Sequence, residues 1–334
     1  MPWPVCSQKS AALRPAQRQG KKGKAESVTK VSAVICTRNR PDKIGNAVRS
    51  VLANTHEDFD LTIVDQSTNG ETETIISEIA ATDARAHLVR DDCVGLSRAY
   101  NIGIEAAKGD ILAFTDDDCI VSKDWLSSIV EAFRSDPDAE LLYGQVLPIP
   151  LPGGDQNLTP YLTIDRPERL SRRDGFRVFG MGANFAARRS LFTAVGCFDE
   201  VLGGGGPLRS SQDFDLAYRA YRSGSVILLR PEVTLHHDGH RDREDWPTLL
   251  RNYGVGDGGF YSKHVRCGDV LATRLLVRLM ARKTMKIVVW TVLGRNAEER
   301  FYLRGVVEGV RKGFKYDVNR AARRYGRYKG LAKC

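Results

Sequence analysis

The stretch GLSRAYNIGIEAAKGDILAFTDDD, residues 95–118, contains the pattern that decides the fold. Residues 96–107 have the apolar spacing of a helix, and 111–114 form a short apolar run that is typical of a buried strand. Three consecutive carboxylates, Asp116, Asp117 and Asp118, follow that run directly. A helix followed by a buried strand that ends in acidic residues predicts an α/β sheet with a ligand site at the carboxyl end of that strand.

Strands and helices alternate on both sides of this stretch. Short apolar runs predict strands at 31–36, 61–64, 87–89, 141–146 and 226–229. Helical patterns begin at Pro41 and cover 71–81, 125–133 and 214–221, whereas 147–160 is a loop rich in Pro and Gly and 177–187 reads as a strand pair. This alternation predicts a mostly parallel sheet with helices on both faces.

The last sixty residues predict two long helices, at 269–292 and 298–316. The first has cations every four residues, at Arg274, Arg278, Arg282 and Lys286, and is therefore basic and amphipathic. The second has glycines every four residues, at 305, 309 and 313, which lets another helix approach closely. Two interpretations stay open: contact of the basic face with an anionic membrane, or an ordinary helical hairpin packed on the catalytic domain or a second subunit.

Charge is spread unevenly over the 334 residues, whose net charge is +9. Residues 1–30 carry +6 and 271–334 carry +13, which leaves −10 for the middle. An acidic body between basic ends argues against a nucleic-acid-binding core and favours a catalytic domain whose ends meet an anionic surface. The seven cysteines form no CxxC pair, so free thiols are expected and a zinc site is not.

Targeting signals are not evident in the sequence. The first 27 residues lack the apolar core of a secretory signal, and no window has the ~18 apolar residues that a bilayer crossing needs. We expect a cytoplasmic protein with a disordered basic tail at 1–30, peripheral on the inner face of the cytoplasmic membrane if the C-terminal helices bind lipid.

The acidic triplet favours a metal site. Three adjacent anions repel one another, and oxygen ligands suit Mg²⁺ or Mn²⁺. The alternative, an N-cap for the following helix, needs only one aspartate. A second acidic segment, SQDFDL at 211–216, places Asp213 where a loop becomes a helix, so that Asp213 is either a general base or a cap. The cluster HHDGH at 236–240 supplies either one metal ligand or ordinary surface histidines.

Five segments together resemble the family 2 glycosyltransferases with the GT-A fold, over about residues 31–240. They are VSAVICTRNRPDKI (31–44), LTIVDQS (61–67), the opening stretch, GANFAARRSLFTAVGCFDE (182–200) and SQDFDLAYRAYRSG (211–224). The resemblance implies a Rossmann-like α/β sheet and the transfer of a sugar, with inversion, from a nucleotide-diphosphate sugar to an acceptor hydroxyl. A UDP-sugar donor and Mg²⁺ or Mn²⁺ are the expected partners.

The resemblance also implies a role for each matching residue. Asp213 would be the catalytic base, and Asp116, Asp118 and His237 would hold the metal. The donor nucleotide-sugar would contact Thr37, Arg38, Asn39, Arg40, Asp65, Gln66, Arg98, Asn101, Asp116 and Asp117. The acceptor would contact Asn184, Arg209 and Trp246. The chain departs from the family pattern at Gln66 and Gln212, where acids are frequent, and at Tyr100, where many members have arginine.

The domain boundaries follow from these segments. We expect a tail at 1–30, a catalytic domain at 31–240, with a nucleotide-sugar half (31–118) and an acceptor half (119–240), and a basic helical extension at 241–334. The basic helices favour a glycan or lipid-linked acceptor, while a small soluble acceptor and a homo-oligomer stay open. A sugar nucleotidyltransferase would favour a Gly-rich loop where this chain has CTRNRPD, and a non-catalytic adaptor would not need to keep the acidic residues.

Overall fold

The computed structural model describes residues 30–149, 159–240 and 242–326. The expected disorder of 1–29 and most of the Pro/Gly-rich loop therefore lie outside the described residues. The expected catalytic region consists of β1 (Val31–Thr37), α1 (Pro41–Leu52), β2 (Phe59–Asp65), α2 (Gly70–Thr82), β3 (Ala86–Arg90), α3 (Leu96–Ala106), β4 (Ile111–Asp116), β5 (Cys119–Val121), α4 (Trp125–Ser135), β6 (Ala139–Pro148), β7 (Glu168–Leu170), β8 (Asn184–Arg188), α5 (Arg189–Val195), α6 (Gln212–Ser223) and β9 (Val226–His237). Three helices and a short hairpin follow: α7 (Trp246–Arg266), α8 (Val270–Val292), α9 (Glu299–Gly313), β10 (Val318–Asn319) and β11 (Arg324–Tyr325).

A nine-stranded sheet runs through the catalytic region in the order β3-β2-β1-β4-β8-β6-β9-β5, with β7 paired to β9. Strands β3, β2, β1 and β4 are parallel neighbours, as the alternating pattern predicts. Beyond β4 the sheet is mixed, because β8 is antiparallel to both β4 and β6. The expected α/β fold is confirmed, and its parallel half is the part that carries the acidic triplet.

Helices cover both faces of the sheet, as the continuous burial of its strands requires. On one face Ile35 of β1 belongs to the same core as Ile44 of α1 and Trp125 of α4. On the other face Val34 packs in a core with Tyr100 of α3 and Leu216 of α6. Successive side chains of β1 thus enter opposite cores, which is the period of two expected for a strand.

Two predictions from the sequence differ from the structure. Within 177–187, only the residues from Asn184 onward form a strand, β8, so the expected strand pair is wrong. Helix α7 was not predicted, because glycines 254, 256, 258 and 259 lower its helix propensity. Those glycines have a packing role: a Cβ at Gly258 would lie 2.2 Å from the carbonyl oxygen of Val306 in α9.

The glycine stripe of α9 faces α7. A Cβ at Gly305 would lie 2.1 Å from the carbonyl oxygen of Arg251, and one at Gly309 would lie 2.0 Å from that of Val255. The two backbones are therefore in direct contact along a seam that has glycine on both sides. The expectation that a helix packs on this stripe is met within the chain itself.

Buried ion pairs connect α7 to the catalytic region. The ammonium of Lys263 lies 2.6 Å from Asp199 and 2.7 Å from Asp215 of α6, and all three side chains are at most 2% exposed. Asp215 also receives Nε of Arg219 at 2.9 Å and Nε2 of His264 at 2.8 Å. Because an unpaired charge in such a place is very costly, this cluster fixes α7 against α6. None of the helices in the described part of the chain combines the length and apolar character of a membrane span.

Candidate active site

The parallel strands deliver their last residues to one edge of the sheet. Thr37 of β1 pairs in register with Asp65 of β2, and Asp65 pairs in turn with Arg90 of β3. On the other side of β1, Cys36 is in register with Asp116 of β4. Polar side chains that are distant in sequence are therefore neighbours at the carboxyl end, where open α/β sheets bind their ligands.

The acidic triplet at the end of β4 is divided among different partners. Asp117 accepts hydrogen bonds from Thr37 Oγ1 and Arg40 Nη1, each at 2.7 Å. The same Arg40 nitrogen lies 2.7 Å from Asp118 Oδ2. Asp116 accepts a hydrogen bond from Tyr100 Oη at 3.1 Å and has no cation of its own among these contacts. Two of the three carboxylates thus share one arginine.

The unequal partners give the three carboxylates different proton affinities. Burial, together with the charges of Asp118 and Asp117, raises the pKa of Asp116 to about 7. Burial also raises the pKa of Asp117, against the opposing effect of Arg40. For Asp118 burial acts in the same direction, but His237 and Arg40 overcome it and lower its pKa well below the ordinary value. Asp116 is thus the carboxylate of the triplet whose charge the surrounding residues neutralise least.

His237, at the end of β9, is oriented as a metal ligand would be. Its Nδ1 faces the carbonyl oxygen of Pro160 at 3.0 Å, which fixes the ring, and its Nε2 lies 3.3 Å from Asp118 Oδ1. A histidine that donates from one ring nitrogen to a carbonyl presents the other nitrogen to a cation. Ligand atoms of Asp118, His237 and Cys119 all lie within 4.8 Å of one another. A carboxylate and an imidazole this close together form a donor set that fits a divalent cation.

The loops after β1 and β2 are joined on the expected nucleotide side. Asn39 has a φ of 55°, its backbone N–H donates to Ser67 Oγ at 2.7 Å, and its Oδ1 accepts from the backbone N–H of Thr68 at 2.9 Å. Arg38 beside it is exposed. A strained residue held by its neighbours in this way gives the strand ends a fixed rim.

Asp65, Gln66 and Arg98 are all bound to protein partners, and Asp65 and Gln66 are buried. Asp65 is fully buried and bound to Arg90, while Gln66 Nε2 donates to Asp91 Oδ2 at 2.8 Å. Arg98 Nε and Nη2 both lie 3.0 Å from the same carboxylate. Asp91 therefore organises two of the expected donor-binding residues. Asp91 could not be identified from the sequence, because its pairing with Gln66 and Arg98 depends on the fold.

Asp213 lies in the first turn of α6, partly buried beside Gly182. A Cβ at Gly182 would lie 3.0 Å from Asp213 Oδ2, so glycine leaves room for this carboxylate. Burial raises the pKa of Asp213, although backbone N–H groups of Phe214 and Gly182 oppose the shift. Burial and the nearby charges of both Asp116 and Asp213 raise the pKa of Tyr100. Tyr100 is thus near both the acidic triplet and Asp213, and the sequence marked it only as a departure from the family pattern.

The three residues expected to contact the acceptor differ in how far they are buried. Asn184 is fully buried, and its amide bonds Trp125 Nε1 and the carbonyl oxygens of Gln145 and Val233, so it cannot contact an acceptor. Arg209 is exposed four residues before Asp213, and Trp246 is the half-buried first residue of α7.

The amide of Asn101, expected on the donor side, is also committed within the protein. Its Oδ1 accepts a hydrogen bond from the backbone N–H of Phe198 at 2.8 Å. Its Nδ2 donates to the carbonyl oxygen of Phe198 at 3.1 Å and to Glu200 Oε1 at 3.0 Å. This side chain therefore fixes the loop before the Gly203–Gly206 run, rather than facing an open pocket.

Comparison with known proteins identifies a family that part of this chain matches. Residues 32–196 match the family described as Glycosyl transferase family 2. The glucosyl-dolichyl phosphate glucuronosyltransferase of Haloferax volcanii is 26% identical over 71% of this chain and 77% of its own length. Glycosyltransferase AglE of the same organism is 24% identical over 82% of this chain and 83% of its own length.

A solved structure supports the same fold. The mannosyltransferase PcManGT from Pyrobaculum calidifontis, in complex with GDP-Man and Mn²⁺, superimposes with a TM-score of 0.58. The match covers 85% of this chain and 88% of that protein at 15% sequence identity. At this identity the likeness concerns the fold alone, and it extends beyond the residues 32–196 that match the family.

Proposed function

This chain belongs to glycosyl transferase family 2 and has the GT-A fold, and from that premise we propose that it is a metal-dependent, inverting glycosyltransferase that uses a nucleotide-diphosphate sugar. The observation that supports this most is the position of Tyr100, whose phenol is under the influence of both Asp116 and Asp213. Tyr100 Oη donates a hydrogen bond to Asp116 at 3.1 Å, and the charge of Asp213 also raises the pKa of Tyr100, so the proposed metal end of the site and the candidate base lie near one aromatic side chain. A donor sugar and an acceptor hydroxyl have to meet in such a place.

Asp213 is proposed as the general base. An acceptor hydroxyl has a high pKa and reacts faster when a carboxylate within hydrogen-bond reach takes its proton. Burial raises the pKa of Asp213 and makes it a stronger base than an exposed aspartate, while Gly182 leaves space beside its oxygen. A single displacement assisted by one base inverts the configuration of the transferred sugar.

A divalent cation is proposed at Asp118 and His237, with Asp116 beside it. There it would act as a Lewis acid that neutralises the leaving diphosphate. Among the chain's own residues, Arg40 holds Asp117 and Asp118 in place, and Thr37 fixes the second oxygen of Asp117. These contacts keep the carboxylates oriented before a donor binds, which is the preorganisation on which electrostatic catalysis depends.

The acceptor is proposed to be a glycan or a lipid-linked saccharide. The relative from Haloferax volcanii is named for action on a glucosyl-dolichyl phosphate. In this chain the outward side of α8 exposes Val277, Met285, Val288, Val289 and Val292, between 44% and 81% exposed. A contiguous patch of exposed apolar side chains is typical of a surface that binds a membrane or another protein.

The covering surface is proposed to be an anionic membrane. Arg274, Arg278 and Arg282 lie on the same exposed side of α8 as those apolar residues, and α8 has no acidic residue. A helix with apolar side chains and arginines on one side suits the boundary of a bilayer, because arginine stems can extend toward the headgroups. The fourth expected cation, Lys286, is engaged by Glu299 of α9. The protein would then be peripheral on the membrane that holds its acceptor.

The activity is tested by binding and turnover with a panel of UDP- and GDP-sugars. Isothermal titration with and without Mn²⁺ identifies the donor, and release of the nucleoside diphosphate measures turnover, first with water and then with candidate saccharide acceptors. We expect one donor class to bind in a Mn²⁺-dependent manner and to be turned over. Tight binding without turnover, for any acceptor and at any metal concentration, would favour a non-catalytic sugar-binding protein instead.

A further inference from the structure

A backbone corner just before Asp213 holds two non-glycine residues in the left-handed region. Arg209 and Ser211 both have a φ of 69°. Residues with side chains rarely adopt this conformation, and each instance costs about 1–3 kcal/mol unless the surroundings hold it. Because Asp213 follows two residues after Ser211, whatever holds the corner also sets the direction of the Asp213 carboxylate.

Helix α7 supplies the contacts that hold this corner. Ser211 Oγ donates to Asp257 Oδ1 at 2.7 Å, and Ser210 Oγ donates to the carbonyl oxygen of Asn252 at 3.1 Å. Gly256 permits this approach, since a Cβ there would lie 2.0 Å from Ser210 Oγ and 2.6 Å from Ser211 Oγ. The second oxygen of Asp257 accepts a hydrogen bond from Tyr302 of α9.

The hydroxyl of Ser211 binds Asp257 instead of capping the helix that follows it. Serine before a helix ordinarily caps it by accepting a backbone N–H. Ser211 precedes α6 but makes no capping hydrogen bond with its side chain. The backbone N–H groups of Asp213 and Phe214, in the first turn of α6, lower the pKa of the Asp213 carboxyl against the effect of burial. Because Ser211 Oγ bonds Asp257, it does not compete with the Asp213 carboxylate for the backbone N–H groups at the start of α6.

We propose that Asp257 is a positioning residue for the base: through Ser211 it holds the 209–211 corner so that Asp213 points at the acceptor hydroxyl. The inference rests on the proposed function, in which Asp213 takes the acceptor proton. It also assigns α7 and α9 to the active-site architecture, because Tyr302 fixes Asp257 from the other side. The charged and titratable neighbours of Asp257 are Asp213, Lys283 and the phenols of Tyr261 and Tyr302.

The test compares two variants of the contact with one conservative change. Asp257→Ala and Ser211→Ala each remove the bond and should lower kcat by about 10- to 100-fold, the effect of a misdirected catalytic group. The Kd of the donor and the KM of the acceptor should change less than threefold. Asp257→Asn keeps an oxygen that can accept from Ser211 and should retain kcat within about threefold. The double variant should be no slower than the slower single variant, because both act through one bond.

Arg251→Ala is the matched control on the same helix. Arg251 pairs with Glu308 at the exposed side of the α7–α9 seam, so its loss disturbs the helices without touching the corner. Wild-type kcat for Asp257→Ala and Ser211→Ala would overturn the proposal. So would a rise in acceptor KM alone, which would make Asp257 a direct acceptor contact, or an Asp257→Asn variant as slow as Asp257→Ala. If Asp257→Ala does not fold, Ser211→Ala, which removes only one hydroxyl, decides the question.

Failure of the proposed function gives a different result. In that case the wild-type protein shows no transfer, or Asp213→Asn is as active as wild type. Failure of the positioning role requires an active wild-type protein and a defective Asp213→Asn variant alongside fast Asp257 and Ser211 variants.

Discussion

Nε2 of His237 lies 3.3 Å from Oδ1 of Asp118, although the two residues are 119 positions apart in the sequence. The other ring nitrogen is fixed by Pro160, so this nitrogen can serve either the carboxylate or a cation that lies against both. The pair is also one of the contacts that join β9 to the end of β4. It provides the most direct test of the metal site.

His237→Ala should weaken Mn²⁺ binding in the presence of a nucleoside diphosphate by about tenfold or more, because one ligand is lost. Paramagnetic resonance of free Mn²⁺ measures this affinity without turnover. His236→Ala is the matched control, since the neighbouring His236 is exposed. Transfer should also stop in EDTA and return with Mn²⁺. Full transfer in EDTA, or equal Mn²⁺ affinity of both variants, would contradict the metal assignment.

The pH dependence of turnover should report Asp213. The base works only when ionised, and burial raises its pKa above the ordinary aspartate value of about 3.9. At saturating Mn²⁺, kcat/KM should therefore fall with a slope of one as the pH decreases through a midpoint above that value. Donor binding measured at each pH separates this limb from loss of the metal or of the fold. A rate that stays constant down to pH 4 would be inconsistent with a buried base.

The sequence was most informative where one pattern has one structural solution. The apolar runs before Thr37, Asp65 and Asp116 predicted buried parallel strands, and their carboxyl ends necessarily meet at one edge. Partners that depend on tertiary packing were not visible. Asp91 binds both Gln66 and Arg98, and only the folded chain brings these residues together. Asn184 was expected to contact the acceptor, but it is buried and bonded to Trp125 and two carbonyl groups.

Helix α7 shows the same limit in a different way. Its glycines predict a poor helix, since glycine costs about 1 kcal/mol per interior position relative to alanine. The structure forms the helix because Gly254 and Gly258 meet the backbone of α9, while Gly256 and Gly259 make room for Ser210 and Leu208. Local propensity alone cannot anticipate such a seam, because both sides of it are needed before the glycines are favourable.

The seam should be sensitive to one methyl group. Gly309→Ala would place a Cβ 2.0 Å from the carbonyl oxygen of Val255, so the helices must separate. The free energy of unfolding should decrease by about 1–3 kcal/mol, as for other overpacked sites. Gly70→Ala, at the start of α2 with no atom within 4 Å of the new Cβ, should change it by less than about 0.5 kcal/mol. Equal denaturation midpoints for the two variants would show that the seam is not close-packed.

The outward face of α8 should bind anionic vesicles. Each cation near such a surface is worth about 1 kcal/mol, so changing Arg274, Arg278 and Arg282 to Gln should weaken binding by about 100-fold. High salt should release the wild-type protein, because screening shortens to about 3 Å at 1 M. Cosedimentation with phosphatidylglycerol-containing vesicles measures both effects.

A charge-matched control separates this face from net charge. Lys108, Lys123 and Arg173 are exposed and lie outside α8 in the sequence, and their change to Gln removes the same three charges. The control protein should sediment with vesicles almost as well as wild type. Absence of wild-type binding at low salt would end the membrane proposal and leave α8 as a surface for another protein.

Asp213 is proposed as the base of a glycosyl transfer, and the variant Asp213→Asn removes that base. The change keeps the shape of the side chain, so donor binding and thermal stability should stay near wild type. Asp215→Asn two residues later should instead destabilise the protein, because Lys263, Arg219 and His264 surround that carboxylate.

The decisive measurement is the rate of nucleoside diphosphate release at saturating donor, acceptor and Mn²⁺ for wild type and Asp213→Asn. We expect a kcat about 10²- to 10⁴-fold lower in the variant, the usual contribution of a general base. A folded Asp213→Asn protein that turns over at the wild-type rate would contradict it.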